Sequence, residues 1–494
     1  MKNPLFEALF AALQGQERSF LILSDGRQIS GGAVSAQVAR FAHALAEQGL
    51  VAGDRLAVQV TKSPESLALY GAALALGAVF LPLNTAYTAA ELDYFIGNAT
   101  PRLLICDPAR AVELMPLAAR HRAGVLTLDG QGCGTLADAA AGLGETIVPA
   151  DCDGGDLAAI LYTSGTTGRS KGAMLSHDNL LSNARSLAEC WRFTTQDVLL
   201  HALPVFHTHG LFVACNVSLL TGGRMIYLPG FERDQVLDLL PQATVMMGVP
   251  TFYTRLLGSP RLNADLVSGL RLFISGSAPL LAKTHRAFAA RTGHRIVERY
   301  GMTETSMNTS NPDLGDRRAG TVGLPLPGVE VRIDAAAGEV GGILVRGPNV
   351  FQGYWQMPDK TAEELRPDGW FITGDLGSFD ADGYLRIVGR AKDLIITGGY
   401  NVYPKEVELA LDAVPGVVES AVIGLPHPDL GEAVFAVLVG ALTPEAALAA
   451  IAPGLARFKQ PRAAVVVPDL PRNAMGKVQK NVLRQEFADW FAKG

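Results

Sequence analysis

The sequence predicts a multidomain α/β protein, and three observations support this prediction. Its 494 residues exceed what one hydrophobic core usually organises, so the chain should divide into two or more domains. Helical and strand patterns alternate over residues 19–150, which is typical of α/β layers around largely parallel sheets. The composition, 48% hydrophobic and 18% charged, is that of a folded globular chain.

The first third of the chain supplies most of the alternating pattern. We predict a helix over 33–50, a strand over 55–60, and a core helix that runs into a strand within 67–83. The last of these is the most apolar run, but glycine and proline interrupt it and it is short for a bilayer span. The Gly-, Ala- and Asp-rich stretch 130–156 is predicted to form surface loops. This third contains no recognisable catalytic motif.

Charge and cysteine content exclude several classes of protein. A net charge of −6 argues against a nucleic-acid partner held by phosphate contacts. The five cysteines show no CxxC or metal-type spacing, which suits a reducing compartment. The N-terminal residues lack the pattern of a signal peptide. We therefore expect a cytoplasmic protein with no membrane partner.

The stretch 162–172 is the feature around which the chemistry is organised. It follows a short apolar run that predicts a buried strand, and it offers backbone N–H groups, hydroxyls and cations to one polyanion, as a triphosphate requires. The spacing is not that of a Walker A loop. A solvated Gly/Ser turn is the alternative interpretation. The residues concerned are Thr163, Ser164, Gly165, Thr166, Thr167 and Lys171.

Later motifs add candidate side chains. His207 and His209 stand two apart, but no Cys, Asp or Glu nearby completes a metal ligand set. Arg255 lies in an apolar helical pattern, where a cation is costly unless an anion meets it; an ordinary surface arginine is the alternative. The stretch 272–279 predicts a strand that enters a tight turn of small residues, and the stretch 297–305 is a second group of candidate side chains.

Taken in order from about residue 160 to the C-terminus, these motifs resemble those of the adenylate-forming superfamily, which includes acyl-CoA synthetases, peptide-synthetase adenylation domains and luciferases. The chain is most similar to the malonate-activating members. The resemblance implies an AMP-binding domain over 1–390, made of two stacked α/β sheet subdomains plus a distorted β-barrel, and a small mobile α+β domain over 391–494. Patterns in the latter predict helices over 404–413 and 444–457 and strands over 418–424 and 433–439.

The resemblance also implies roles in nucleotide binding. Tyr300 would stack on adenine, Thr303 would bond the α-phosphate, Glu304 would hold Mg²⁺, and Asp375 would bind the ribose hydroxyls. Arg390 would contact ribose or phosphate. The remaining members of the implied nucleotide site, which belong to the small-residue turn and to the strand of Tyr300, are Gly276, Ser277, Ala278, Pro279, Glu298, Gly301 and Met302.

The implied carboxylate pocket contains the two histidines and the arginines. His207 matches a gate beside the acyl group, and His209 either neighbours the substrate or is structural. Arg255, Ser277 and Arg299 are the candidates for binding a second carboxylate. For Arg299 the alternative is a structural salt bridge to an acid such as Glu298 or Asp316.

Four positions belong to the implied mobile domain. Lys392 matches the hinge, Gly398 and Gly399 match a loop that lines the thiol tunnel, and Lys477 matches the catalytic lysine that bridges carboxylate and α-phosphate. Acylation of Lys477 would remove its charge, a hypothetical means of regulation.

The expected activity is ATP- and Mg²⁺-dependent ligation of malonate, with methylmalonate tolerated, to coenzyme A through malonyl-AMP. A CoA ligase for another short-chain or aryl carboxylate, and an adenylation enzyme that loads a carrier protein, are the alternatives. A nucleotide-binding protein without turnover is a third; the set of catalytic-type residues disfavours it.

Overall fold

The computed structural model describes residues 2–163, 170–473 and 476–491, and within them it is a mixed α/β protein. Its strands, in chain order, are β1 (Ser19–Ile22), β2 (Gln28–Ser30), β3 (Arg55–Gln59), β4 (Val79–Pro82), β5 (Leu103–Cys106), β6 (Gly124–Thr127), β7 (Leu157–Thr163), β8 (Lys171–Ser176), β9 (Val198–His201), β10 (Arg224–Tyr227), β11 (Val245–Gly248), β12 (Leu272–Ser275), β13 (Val297–Met302), β14 (Ser306–Ser310), β15 (Leu324–Pro325), β16 (Glu330–Asp334), β17 (Gly341–Arg346), β18 (Phe371–Phe379), β19 (Leu385–Arg390), β20 (Ile395–Thr397), β21 (Tyr400–Val402), β22 (Val417–His427), β23 (Gly431–Gly440) and β24 (Ala463–Val466).

The helices begin where polar side chains cap them or a proline fits the first turn, as Ser63 and Ser176 do ahead of two buried helices. They are α1 (Pro4–Phe10), α2 (Gly31–Glu47), α3 (Pro64–Ala75), α4 (Ala89–Ala99), α5 (Ala111–Arg120), α6 (Thr135–Ala140), α7 (His177–Cys190), α8 (Asn216–Thr221), α9 (Arg233–Leu239), α10 (Pro250–Leu257), α11 (Ala282–Thr292), α12 (Pro358–Glu364), α13 (Pro404–Asp412), α14 (Pro444–Ile451) and α15 (Lys480–Glu486).

The chain divides into two compact units. The first comprises Met1–Ala319, Gly323–Glu330 and Val345–Phe371, and the second Gly320–Val322, Val331–Leu344 and Ile372–Gly494. The predicted domain boundary between residues 390 and 391 marks the point about which the C-terminal domain is expected to rotate. The division into compact units does not test this rotation, so the boundary stays a prediction.

Two largely parallel sheets form the first unit. The six-stranded sheet has the order β6-β5-β3-β4-β7-β8, in which only β8 is antiparallel to its neighbour. The nine-stranded sheet has the order β15-β14-β13-β12-β11-β9-β10-β1-β2, and its strands from β13 to β1 run parallel. Both central regions are buried because helices cover them: α4 and α5 pack on the first, and α9, α10 and α11 on the second.

The second unit contains two further sheets. The segment predicted as a distorted barrel contains a four-stranded sheet of order β16-β17-β18-β19. The C-terminal sheet has the order β21-β20-β23-β22, with β24 beside β23, and helices α13, α14 and α15 cover it.

Two local predictions were wrong. The helix predicted over 444–457 ends at Ile451, because Pro453 and Gly454 follow and the chain tightens into a 3₁₀ turn. The stretch 130–156 is not all loop, since α6 lies within it. In the part of the chain that the structure describes, no helix is long and apolar enough to cross a bilayer.

Candidate active site

The predicted substrate residues lie near the carboxyl ends of parallel strands of the nine-stranded sheet. His207 and His209 follow β9, Arg255 lies in the helix that follows β11, and Ser277 follows β12. In an open α/β sheet, the loops at this edge form the usual ligand-binding crevice. Arg299 lies in β13, the next strand in the sheet. The topology therefore brings to one edge residues that are up to 92 positions apart in the sequence.

Arg299 is a buried cation with unsatisfied donors. Its side chain is 4% exposed, and its Nε and Nη2 atoms have no hydrogen-bond partner within the described ranges. Burial lowers its pKa to about 9, so the guanidinium is still charged at neutral pH. It lies against Gly276, where a Cβ atom would come within 2.4 Å of Cζ. An isolated buried cation is expensive, which makes this guanidinium a candidate anion-binding group.

The alternative role for Arg299 was a salt bridge to Asp316 or Glu298. Of these two acids, Asp316 pairs with other arginines. Asp316 pairs with Arg295 at 3.1 Å and with Arg318 at 2.8 Å. Glu298 accepts a hydrogen bond from the backbone N–H of Leu280.

The two histidines are neutral hydrogen-bonding groups. Burial, and then the charge of Arg299, lower the pKa of His207 to about 4 and that of His209 well below its usual range. The Nδ1 atom of His209 is 3.2 Å from the Ser277 hydroxyl, and its Nε2 atom is buried without a partner in the described structure. Ser277 has a φ of +70°, a conformation that non-glycine residues rarely adopt and that often marks functional sites.

Arg255 differs from Arg299 in its environment. It lies in the last turn of α10, and its side chain is exposed to solvent. Water therefore screens its charge, whereas the charge of Arg299 acts in a dry site.

The predicted phosphate loop lies between β7 and β8, two strands in which Thr163 pairs with Lys171. Ser164, Gly165, Thr166 and Thr167 lie outside the described residues. The ammonium group of Lys171 donates to both carboxylate oxygens of Glu364, at 3.0 and 3.2 Å, and lies 4.0 Å from the centre of the Tyr354 ring. Lys171 is thus held by an acid at the end of α12 and by an aromatic ring that precedes this helix.

Glu304 belongs to the same network. Its side chain is 5% exposed, and burial raises its pKa. The Tyr354 hydroxyl lies 3.0 Å from Oε1 of Glu304 and 2.5 Å from Oε2 of Glu364, so it bridges the two acids. A single buried carboxylate fits Mg²⁺, which usually takes one or two protein carboxylates and completes its shell with substrate phosphates. Within the described ranges, no group of three or more His, Cys, Asp or Glu side chains could hold a metal by itself.

The predicted adenine and phosphate residues lie in two turns. Thr303 and Glu304 lie between β13 and β14, and Gly301 is required there because a Cβ atom would come within 1.9 Å of the Ser306 carbonyl. In β13, the side chains of Glu298 and Tyr300 are buried, and Met302, its last residue, is half-buried. After β12, Ala278 is half-buried and Pro279 is exposed.

The second unit contains the predicted ribose pair. Asp375 and Arg390 are directly opposed on β18 and β19, and the Arg390 Nε atom lies 2.9 Å from the Asp375 carboxylate. Asp375 is buried, so the guanidinium balances a charge that would otherwise be costly.

The four predicted mobile-domain positions also lie in the second unit. Gly398 and Gly399 form the two-residue turn between β20 and β21, with φ values of +56° and +84° that favour glycine. Lys477 is exposed, and its backbone N–H donates to the Asn473 side chain in a turn whose Ala474 and Met475 lie outside the described residues. Partial burial, followed by the charge of Arg390, lowers the pKa of Lys392.

Four residues near these sites were missed in the sequence. Tyr354 and Glu364 act only through the network just described. Lys62 and His201 form a buried pair behind the histidine loop, with Nζ 2.7 Å from Nδ1. The one sequence signal for this pair was the position of Lys62 between a buried strand and a capped helix, in the third of the chain that showed no recognisable motif.

Comparison with known proteins agrees with this arrangement. Residues 10–355 match the AMP-binding enzyme family, and residues 406–477 match the AMP-binding enzyme C-terminal domain. ATP-bound MatB from Rhodopseudomonas palustris is 55% identical, covers 99% of this chain and 100% of its own, and superposes with a TM-score of 0.98.

Two curated relatives are similar over nearly the whole chain. The malonate–CoA ligase of Arabidopsis thaliana is 32% identical over 98% of this chain and 88% of its own length. The feruloyl-CoA synthase of an Amycolatopsis species is 36% identical over 94% of each. The chain therefore belongs to the AMP-binding enzyme family and is an adenylate-forming acyl-CoA ligase, which uses ATP and coenzyme A.

Proposed function

We propose that the carboxylate ligated by this enzyme is malonate, with methylmalonate accepted. The observation that supports the proposal most is the buried guanidinium of Arg299, whose Nε and Nη2 donors lack partners among the described residues. A monocarboxylate with an apolar tail would leave this cation buried and unpaired, which is costly. A dicarboxylate presents one carboxylate to ATP and a second one to the guanidinium.

The neighbouring groups suit a small dianion. His209 and Ser277 are neutral and within hydrogen-bonding distance of each other, so their free polar atoms can complete the shell around a carboxylate. Gly276 leaves room for the guanidinium against the backbone. Together these groups would surround the second carboxylate, and charge-assisted hydrogen bonds would supply the specificity.

Relatives narrow the choice without deciding it. Malonate–CoA ligases of Arabidopsis thaliana and Mus musculus are similar over 98% and 83% of this chain, but so is the sulfoacetate–CoA ligase of Cupriavidus necator over 95%. Sulfoacetate also has a second anionic group, so Arg299 favours it as the second candidate. Ferulate has no such group.

The proposed first half-reaction forms malonyl-AMP. One carboxylate oxygen attacks the α-phosphorus of ATP, and the bond to pyrophosphate breaks. Lys171, Thr303 and Lys477 would balance the charge on the phosphates, so catalysis consists of positioning and electrostatic stabilisation. Glu304 would hold Mg²⁺, which neutralises phosphate charge.

In the proposed second half-reaction, the sulfur of coenzyme A attacks the acyl carbon and AMP leaves. We propose that rotation about Lys392 exchanges the Lys477 turn for the Gly398-Gly399 turn between the two steps. Lys477→Ala should then abolish pyrophosphate release but spare thioester formation from supplied malonyl-AMP, and equal loss of both would contradict this role. Lys392→Pro should show the opposite pattern, and unchanged overall turnover would contradict the hinge.

The deciding experiment measures ATP-dependent pyrophosphate release with malonate, methylmalonate, succinate, sulfoacetate, acetate and benzoate, each with and without coenzyme A. Malonate should give the highest kcat/KM, with turnover stimulated by coenzyme A. Preference for sulfoacetate would retain the anion pocket and change the substrate, whereas preference for acetate or benzoate would contradict the role of Arg299. A carrier-loading enzyme would ignore free coenzyme A and accept a phosphopantetheinyl protein.

A further inference from the structure

A buried lysine lies behind the loop that holds the two pocket histidines. Lys62 follows β3 and is 7% exposed. Its Nζ atom is 2.7 Å from Nδ1 of His201, 2.8 Å from the His201 carbonyl and 3.0 Å from the Leu203 carbonyl, and it lies 4.2 Å from the Tyr227 ring centre. Three acceptors match the three N–H donors of an ammonium group. Burial lowers the pKa of Lys62 to about 7, and this set of acceptors favours the protonated form.

The contact with Lys62 determines which nitrogen of His201 holds the proton. Because an ammonium group can only donate, Nδ1 of His201 must accept and the ring proton must be on Nε2. Burial lowers the pKa of His201 well below its usual range, which is consistent with a neutral ring. The Nε2–H group then donates to the Gly210 carbonyl at 2.8 Å. The two side chains thus connect the end of β9 with Gly210.

Residues 203–210 form a loop that is held at both of its ends. Lys62 binds the carbonyl at its start, and His201 binds the carbonyl at its finish. Gly210 lies so close to the start that a Cβ atom there would be 1.9 Å from the Pro204 carbonyl. His209 begins a π-helix that runs to Cys215, a rare geometry that is often found at functional sites. His207 and His209 lie inside this closed loop.

The environment of Lys62 argues against a role in stability alone. Within the described part of the chain, no carboxylate lies within ion-pair distance of its ammonium group. A buried cation of this kind is costly, and an apolar side chain of similar length would avoid that cost. What the lysine adds is a fixed geometry for both ends of the histidine loop.

We propose that Lys62, acting through His201, is a positioning residue for carboxylate binding, and that it sets the places of His207 and His209 opposite Arg299. The inference rests on the part of the proposed function that locates the carboxylate beside these histidines. Lys62 touches neither substrate nor ATP in this scheme. Its loss should therefore weaken binding of the carboxylate and leave binding of ATP unchanged.

The test compares Lys62→Met with wild type in pyrophosphate release, using the carboxylate that wild type turns over best. The KM for the carboxylate should rise about tenfold or more, while the KM for ATP stays within about twofold, a split that general destabilisation would not produce. Arg271→Met is the matched control, because Arg271 is a half-buried cation paired with Asp197 at 2.8 Å. Arg271 directly precedes the first residue of β12, whereas Ser277 follows the last residue of that strand. Arg271→Met should lower the melting temperature without changing either KM.

Two variants of His201 keep the proposal testable if Lys62→Met does not fold. His201→Gln retains an amide donor of the right length for the Gly210 carbonyl, whereas the shorter side chain of His201→Asn can accept from Lys62 but does not reach that carbonyl. His201→Gln should have the lower carboxylate KM of the two. An unchanged carboxylate KM in a folded Lys62→Met, or equal values in the two His201 variants, would overturn the proposal. A wild type that prefers acetate would contradict the malonate assignment but would leave this comparison valid.

Discussion

Two regions of the first unit both contain buried charges, but they balance them differently. Around the phosphate loop, Lys171 binds Glu364, and Tyr354 bridges Glu364 and Glu304, so each charge has a partner in the protein. In the proposed carboxylate pocket, the guanidinium of Arg299 has donors without partners in the described structure.

This difference in charge pairing indicates which kind of ligand each region can bind. A network whose carboxylates already have a lysine and a hydroxyl as partners can accept Mg²⁺ and a polyphosphate by exchanging those partners, because the ligand brings a cation and an anion together. A lone buried cation is satisfied only by an anion. The unpartnered charge in the carboxylate pocket therefore specifies its ligand more narrowly than the paired charges near the phosphate loop do.

The largest effect should come from removing the unpaired cation. Arg299→Leu should lower kcat/KM for malonate by about 10³-fold, because the loss of a buried charge-assisted pair costs about 3–5 kcal/mol. Activity with acetate, measured as pyrophosphate release, should change by less than about threefold.

Thermal unfolding of the same variant sharpens the comparison. The folded protein holds Arg299 with a lowered pKa, so the unfolded chain binds this proton more tightly, and the charge destabilises the unliganded enzyme at neutral pH. Unliganded Arg299→Leu should thus melt at or above the temperature of wild type, and malonate should no longer raise it. A clear fall in the melting temperature, with malonate still stabilising, would contradict an unpaired charge.

Breaking the paired region should give a smaller and different effect. Tyr354→Phe removes the hydroxyl that contacts both Glu304 and Glu364, and it leaves the buried Glu304 and the half-buried Glu364 without that donor. We expect a loss of stability of about 1–3 kcal/mol and an increase of about tenfold in the KM for Mg-ATP. The KM for malonate should not change. An increase in both KM values would show that the two regions are coupled.

The pH dependence of malonate binding should follow the titration of Arg299. Its pKa is lowered to about 9 and only the charged form binds the second carboxylate, so kcat/KM for malonate should be constant below about pH 8 and fall about tenfold per unit above about pH 9. The rate should be measured by pyrophosphate exchange without coenzyme A, so that titration of the coenzyme A thiol does not contribute to the pH profile. Acetate is the control and should show no fall in this window, whereas a parallel fall would assign the titration to another group.

Part of this arrangement could be predicted from the sequence because it depends on local patterns. The strand ahead of the predicted phosphate loop and the two central strands of the C-terminal sheet follow from local periodicity. The pair formed by Lys62 and His201 could not be predicted, because 139 residues separate them and only the assembled sheets bring them together. The burial of Arg299 likewise depends on neighbouring strands, so its sequence context did not distinguish it from Arg255.

The exposed arginine provides the smallest predicted effect and the most direct test of the comparison. Arg255→Ala should raise the KM for malonate only about threefold, because a solvent-exposed charge is screened and its pairing is worth about 0–1 kcal/mol. Added salt should weaken malonate binding in wild type more than in Arg255→Ala, since screening acts on exposed charges first. Steady-state kinetics of Arg255→Ala, Arg299→Leu and the double variant would compare the contributions of the two arginines to kcat/KM for malonate. If Arg255→Ala proves more damaging than Arg299→Leu, the exposed helix end supplies the charge that selects the substrate, and the buried guanidinium has another ligand.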